Sequence, residues 1–329
     1  MKILVTGGLG FIGSNFILKL LEQNDVEITN IDAELHGSDH RNLSEIKNST
    51  RYNFVKGNIS NKKFMEEQIA KCDVVVNFAA ESHVDRSIND ANPFLVSNIR
   101  GAFTILDIIT KQKKRMVHIS TDEVFGSLSI GTADEQTKIN PSSPYAATKA
   151  AAELLINSYY TTFNSDVIIT RCTNNYGPRQ FVEKLIPKTI LLANKNLKIP
   201  IYGKGNNIRD WIFVDNHCDA VEMALVNGKS GESYNISADN EIDNLTIVKK
   251  ILQIMDKSED LIDFVEDRPG HDFRYSMTSK KISNELGWNL KIDFDKGLEK
   301  TIQWYQDNPE ILNEVSSTVL NSTPWKSSN

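Results

Sequence analysis

Apolar residues in the first half of the chain fall in short continuous runs separated by stretches of helical spacing. Lys2 to Thr6, Val26 to Ile31, Asn53 to Lys56, Asp73 to Asn77, Met116 to Ser120 and Val167 to Thr170 read as strands. Val74-Val75-Val76 leaves no polar side for water, as a parallel sheet covered on both faces requires. Phe11 to Glu22, Lys62 to Ala70, Pro93 to Thr110 and Tyr145 to Phe163 repeat apolar residues at helical intervals. This alternation predicts an α/β fold, a doubly wound parallel sheet of the Rossmann type, whose right-handed crossovers put a ligand crevice at the carboxyl ends of the strands. After about residue 172 the alternation loosens into Asn174-Asn175-Tyr176-Gly177-Pro178-Arg179, followed by a helix whose register starts near Glu183. The boundary is placed there: residues 1–172 form the dinucleotide-binding domain and 173–329 mainly a smaller C-terminal α/β substrate-binding domain. Trp211 to Val226 reads as a strand and helix, so part of 211–235 is expected to rejoin the first sheet. The Ser- and Thr-rich tail after Glu314 reads as frayed.

With 329 residues the chain exceeds the usual size of a single core, which supports this division. A charged fraction of 24% and a mean hydropathy of −0.34 argue against both disorder and membrane residence. No apolar run reaches membrane-spanning length, and Met1 to Gly8 is too short in its apolar part for a signal peptide, so a cytoplasmic protein is expected. The net charge of −6, with Lys and Arg scattered, gives no footprint for nucleic acid. Cys72, Cys172 and Cys218 form no CxxC pair and suit buried free thiols in a reducing compartment; no metal site is predicted.

Three local patterns carry chemistry. Gly7, Gly10 and Gly13 form a G-x-x-G-x-x-G turn between the first strand and first helix, where free amides and the positive end of the helix dipole suit a pyrophosphate. Asp32 ends the second strand, where a carboxylate accepts from an adenosine ribose and repels a 2′-phosphate, favouring NAD over NADP. Tyr145 and Lys149 lie four apart behind Ser143 and Pro144, a good cap and first residue of a helix. The lysine ammonium stabilises the phenolate of a tyrosine that is otherwise a poor base at neutral pH. Asp122 and Glu123 follow the strand ending at Ser120, and an acid beside a base suits elimination.

The glycine turn, Thr121 and Tyr145-x-x-x-Lys149 together resemble the extended short-chain dehydrogenases that act on nucleotide sugars. Ala79 to Ser87, Ser120 to Gly126, Asn174 to Pro178, Glu183 to Pro187, Ile208 to Trp211 and Asp267 to Asp272 resemble the dTDP-glucose 4,6-dehydratase family. The resemblance implies oxidation at carbon 4 of the sugar, elimination of water across carbons 5 and 6, and return of hydride to carbon 6. Tyr145, Lys149 and Thr121 would serve the redox step, Glu123 as base and Asp122 as acid the elimination. It implies NAD on Gly7, Gly10, Phe11, Ile12, Gly13, Asp32, Asn58, Ile59, Ala79, Ala80, Ser82, Tyr145, Lys149 and Asn174. It implies the nucleotide sugar on Ser82, Thr121, Asp122, Glu123, Asn175, Lys184, Leu185, Pro200, Tyr202, Arg209, Asn244, Arg268 and His271. Lys184, Arg209 and Arg268 fit a diphosphate, and the family implies a homodimer built on the helices Pro93 to Thr110 and Tyr145 to Phe163. His83 reads as a structural hydrogen bonder.

Three positions depart from the family: Asn58 stands for the usual Asp, Phe125 for the usual Tyr, and Ala33 to Gly37 differs from the usual segment. The alternatives left open are another nucleotide-sugar dehydratase or epimerase, such as one using UDP-sugars, and a non-catalytic NAD(H)-binding protein on the same fold.

Overall fold

In a computed structural model the chain is described at residues 1–23, 25–313 and Trp325. The tail read as frayed lies, apart from Trp325, outside the described residues. Twelve strands are described: β1 (Lys2–Thr6), β2 (Glu27–Asp32), β3 (Tyr52–Lys56), β4 (Val74–Asn77), β5 (Arg115–Thr121), β6 (Val167–Cys172), β7 (Asn174–Tyr176), β8 (Ile199–Tyr202), β9 (Ile208–Phe213), β10 (Ser233–Ile236), β11 (Glu241–Asp243) and β12 (Ile262–Val265). Seven make one sheet in the order β10-β6-β5-β4-β1-β2-β3, with every neighbouring pair parallel.

The apolar strands sort their side chains by parity, as the pleat requires. Ile3, Val5, Val74, Val76 and Val117 enter one core, packed by the helices Phe11–Gln23 and Val214–Asn227. Leu4, Val75, Met116 and Ile169 enter the other, packed by Lys62–Ile69, Ala102–Gln112 and Pro144–Phe163. Because strand order reverses between β1 and β4, the segments leaving their carboxyl ends turn to helices on opposite faces of the sheet and open the crevice the alternation predicted.

The segment 211–235 divides. β9 lies in a separate small sheet, β11-β9-β7, and β10 is the strand that pairs with β6, from Ser233↔Ile169 to Ile236↔Cys172. β8 pairs with β12, and a third core around Tyr176, Trp211, Phe213 and Phe294 supports this half. The helix anticipated from Pro93 to Thr110 is a turn at Asn92–Phe94, a π-helical stretch Leu95–Gly101 and an α-helix Ala102–Gln112. The wide turn accompanies Asn98, whose amide donates to the Glu81 carbonyl and to Thr148 Oγ1 and accepts from the Glu81 amide. Such side-chain demands are a usual setting for a π-bulge beside a site, and spacing alone does not reveal them.

Arg171 on β6 chelates Glu153 of the helix Pro144–Phe163 with Nε and Nη2, at 3.1 and 2.8 Å, and its guanidinium lies 5.1 Å from the Phe125 ring centre. Both partners are buried, at 6% and 0% side-chain exposure, so removing one strands the other. Glu153→Gln is expected to cost about 3 kcal/mol of stability. The double change Glu153→Leu with Arg171→Leu is expected to recover most of that loss in denaturant unfolding. Equal losses from the single and double changes would contradict this.

Candidate active site

A cavity of about 590 Å³ opens at the carboxyl ends of β1, β2, β4, β5 and β6. Its floor begins at the glycine turn. Gly7 has φ +73°, and a Cβ there would stand 2.7 Å from the Ala79 backbone, so this strand exit requires glycine. Leu9 donates its amide to Asp32 Oδ2 at 3.0 Å, while Glu34 N and Ser38 Oγ reach Oδ1 at 2.9 and 2.8 Å. The carboxylate is thereby fixed facing the turn. The amides of Phe11, Ile12 and Gly13 have no acceptor among the described residues. Unpaired donors at a helix amino end beside an oriented carboxylate fit a dinucleotide, with its diphosphate on the amides and its ribose on Asp32.

All fourteen positions the resemblance gives to NAD line this one cavity. Asn58 is turned by its neighbours: its Oδ1 accepts from Ser60 N and Ser60 Oγ at 2.9 and 2.8 Å, leaving its amide donors free. The unusual segment after Asp32 crosses the cavity mouth, where His36 Nε2 meets Glu183 Oε2 at 2.7 Å and the His36 ring packs edge-on against Phe181. Nothing in the sequence pattern of 33–37 signals that contact.

The residues expected to carry the chemistry line the same cavity. Ser143 caps its helix by accepting from Ala146 N, with Pro144 in the first turn, and Tyr145 and Lys149 follow on the buried face. Lys149 Nζ donates to the Ile119 carbonyl at 2.5 Å. Burial pulls the lysine down to about 8 although Glu153 opposes it. Burial, and then the charge of Glu123, raise the Tyr145 phenol well above its ordinary value, while a hydrogen bond with Thr121 favours the phenolate.

Thr121 ends β5 in extended backbone, and its hydroxyl accepts from Glu123 N at 3.2 Å, turning the chain into the short helix Asp122–Phe125. Asp122 Oδ2 and Glu123 Oε2 are both buried without a hydrogen-bond partner among the described residues. Burial and the charge of Glu123 raise Asp122 well above the carboxylate range. Burial also raises Glu123, but the positive charges of Arg268, Arg209 and Lys184 work against it. Both carboxyls are thus raised by burial, Asp122 further by the charge of Glu123 and Glu123 against the pull of three cations.

Ser82, Thr121, Asp122, Glu123, Asn175 and Lys184 share the cavity wall. The other positions given to the nucleotide sugar lie beyond it. Leu185 starts the helix Leu185–Asn194, Pro200 and Tyr202 are on β8, Arg209 is on β9, Asn244 starts Asn244–Ile254, and Arg268 and His271 follow β12. Arg209 donates to the carbonyls of Ile208, Phe273 and Asp272 and lies 4.2 Å from the Tyr275 ring centre. Tyr202 and His271 are ring neighbours, with Trp325 edge-on to Tyr202 at 4.7 Å. His83 caps the helix Val84–Asn89 through a 3.4 Å bond from Arg86 N, and burial lowers it to about 4. His83 also lines the cavity. Cys72, Cys172 and Cys218 are free and buried.

Glu183 supplies a pH test. Burial works to raise it, but the His36 hydrogen bond and the charges of His83 and Lys184 outweigh that and bring it to about 2. A carboxyl depressed in the fold adds stability above its unfolded value and loses it as pH falls toward the folded value. The melting-temperature gap between the parent and Glu183→Gln is expected to be full at pH 7 and to shrink between pH ~4.5 and ~3. A gap unchanged across that window would contradict the assignment.

The sequence model of the family described as GDP-mannose 4,6 dehydratase matches residues 4–301. A dTDP-glucose 4,6-dehydratase of Streptomyces niveus is 42% identical over 314 residues, covering 94% of each chain. The low-salt glycan biosynthesis protein Agl12 of Haloferax volcanii is 44% identical over 94% of this chain and 100% of its own. Among solved structures, the dTDP-glucose 4,6-dehydratase DesIV of Streptomyces venezuelae with NAD bound superposes with a TM-score of 0.92 at 39% identity, covering 94% of this chain and 98% of that one. A UDP-glucuronic acid 4-epimerase of Bacillus cereus superposes with a TM-score of 0.89 at 28% identity, covering 94% and 100%.

Proposed function

The chain belongs to the GDP-mannose 4,6-dehydratase family, and from that membership we propose that it is an NAD-dependent hydro-lyase, a dTDP-glucose 4,6-dehydratase. The observation that carries the reading is the adjacent carboxyls of buried Asp122 and half-buried Glu123, in one cavity with Tyr145 and Lys149. An epimerase needs the tyrosine and lysine but not an acid beside a base.

NAD, when bound, accepts hydride from carbon 4 of the sugar and returns it to carbon 6. The free amides of Phe11, Ile12 and Gly13 would hold its diphosphate and Asp32 its adenosine ribose, with Asn58, Ile59, Ala79, Ala80, Ser82 and Asn174 completing the wall. Tyr145 takes the proton of the 4-hydroxyl, and Lys149 and Thr121 stabilise the phenolate that results. The ketone formed at carbon 4 acidifies carbon 5. Glu123 removes the carbon 5 proton, and Asp122 gives a proton to the hydroxyl leaving carbon 6 as water; as hydride reaches carbon 6, Glu123 gives a proton back to carbon 5, and exchange with solvent returns the proton taken by Tyr145 and restores that of Asp122. Lys184, Arg209 and Arg268 supply positive charge for the diphosphate of the nucleotide sugar, and Tyr202, Asn244 and His271 are assigned to the same substrate. On this reading residues 1–172 with β10 hold the cofactor, and 173–329 mainly hold the nucleotide sugar.

The reading extends to a homodimer in the cytoplasm. Leu95, Val96 and Phe103 on one helical segment and Leu154, Tyr160 and Phe163 on Pro144–Phe163 are exposed, an apolar surface that a second copy would cover. Three free thiols suit a reducing compartment.

Mass spectrometry of dTDP-glucose incubated with the purified protein and no added NAD, beside UDP-glucose, tests the function. Loss of one water from the dTDP sugar is the expected result. An unchanged mass with altered stereochemistry would indicate an epimerase, and no change with either sugar would refute both.

A further inference from the structure

The short helix Val84–Asn89 touches both halves of the cleft. On one side Ser87 Oγ accepts the Tyr145 amide at 3.2 Å. On the other, Asp85 Oδ1 accepts from Arg268 Nη1 at 2.7 Å and Oδ2 from the Tyr202 hydroxyl at 3.1 Å. These partners lie 183 and 117 positions further along the chain, on different elements of the second half. Asp85 is 3% exposed, a costly place for a charge without such partners. Burial works against its ionisation, yet the charges of Arg268 and His83 and both hydrogen bonds hold the carboxyl below its ordinary value. The Nε of Arg268 is buried and has no acceptor among the described residues, while the guanidinium is gripped at Nη1.

We infer that Asp85 is a positioning residue, which sets Arg268 and Tyr202 for the nucleotide sugar and ties their placement to the backbone of Tyr145. The inference rests on the proposed function, in which Arg268 and Tyr202 meet that substrate. Asp85 acts through these two side chains, since each of its oxygens is already engaged. Without its charge, Arg268 loses its fixed edge and is drawn toward Glu123, whose carboxylate already feels it. Substrate binding therefore suffers more than the chemical step.

Steady-state kinetics of the NAD-loaded protein test this with Asp85→Asn, Arg268→Gln, the double variant and Tyr202→Phe. Asp85→Asn is expected to raise KM for dTDP-glucose roughly 10- to 100-fold. Over the same change kcat should fall less than about threefold. The double variant should bind no worse than Arg268→Gln alone, because Asp85 works through Arg268. A KM unchanged in Asp85→Asn while Arg268→Gln raises it would overturn the inference and leave the proposed function standing. A KM unchanged in Arg268→Gln would overturn the substrate role of Arg268 and the inference together. Should Asp85→Asn not fold, Tyr202→Phe removes one bond without stranding a charge. An unchanged KM there, with the parent melting temperature, would also overturn it.

Discussion

Tyr145→Phe is expected to lower turnover of dTDP-glucose by about 10⁴-fold while the protein keeps its NAD. The phenol is buried, within reach of Thr121 and one helical turn before Lys149, and no other described side chain in the wall combines that position with a removable proton. The substitution keeps the ring contact with Phe94, 6.3 Å between centres, so the fold and the cavity floor should survive. The check is a rate measurement beside cofactor content after gel filtration. Activity within tenfold of the parent would remove Tyr145 from the redox step.

Glu123→Gln is expected to lower the rate of water loss by about 10³-fold without abolishing oxidation at carbon 4. Burial raises this carboxyl, while Arg268, Arg209 and Lys184 oppose that shift and favour the ionised base. Glutamine keeps the shape and removes the base. In a single turnover the absorbance of reduced nicotinamide should rise and persist, and solvent deuterium should no longer enter carbon 5. Deuterium entry at the parent rate would show that another group removes that proton.

The half of the molecule around the sheet was legible because its signals are local. A strand buried on both faces must be apolar throughout, as Val74, Val75 and Val76 are, and a glycine turn must be continuous in sequence to meet a diphosphate. The second half was less legible because its contacts are long-range. β9 resembles a strand of the main sheet in composition, yet it pairs with β7 and β11. Burial raises both Asp122 and Glu123, and what sets Glu123 apart is the opposing charge of Arg268 and Lys184, which lie far from it in sequence. The Asp85–Arg268 pair and the His36–Glu183 contact have the same character: each residue is ordinary until the fold supplies its partner.

Phe125 shows how a departure from the family pattern can be absorbed. Its ring lies beneath the Arg171 guanidinium, which Glu153 holds, so an aromatic face serves there without a hydroxyl. This buried ion pair also places Glu153 where its charge supports the ammonium of Lys149. The carboxylate that anchors the helix to β6 thus also acts on Lys149.

The most direct test of the account follows a label through the whole cycle. dTDP-glucose carrying deuterium on carbon 4 should give a product that has lost one water and carries the deuterium on carbon 6, with no NAD added. Product with the label lost to solvent, or a sugar returned with its water intact, would contradict a dehydration in which Tyr145, Asp122 and Glu123 work on one bound substrate.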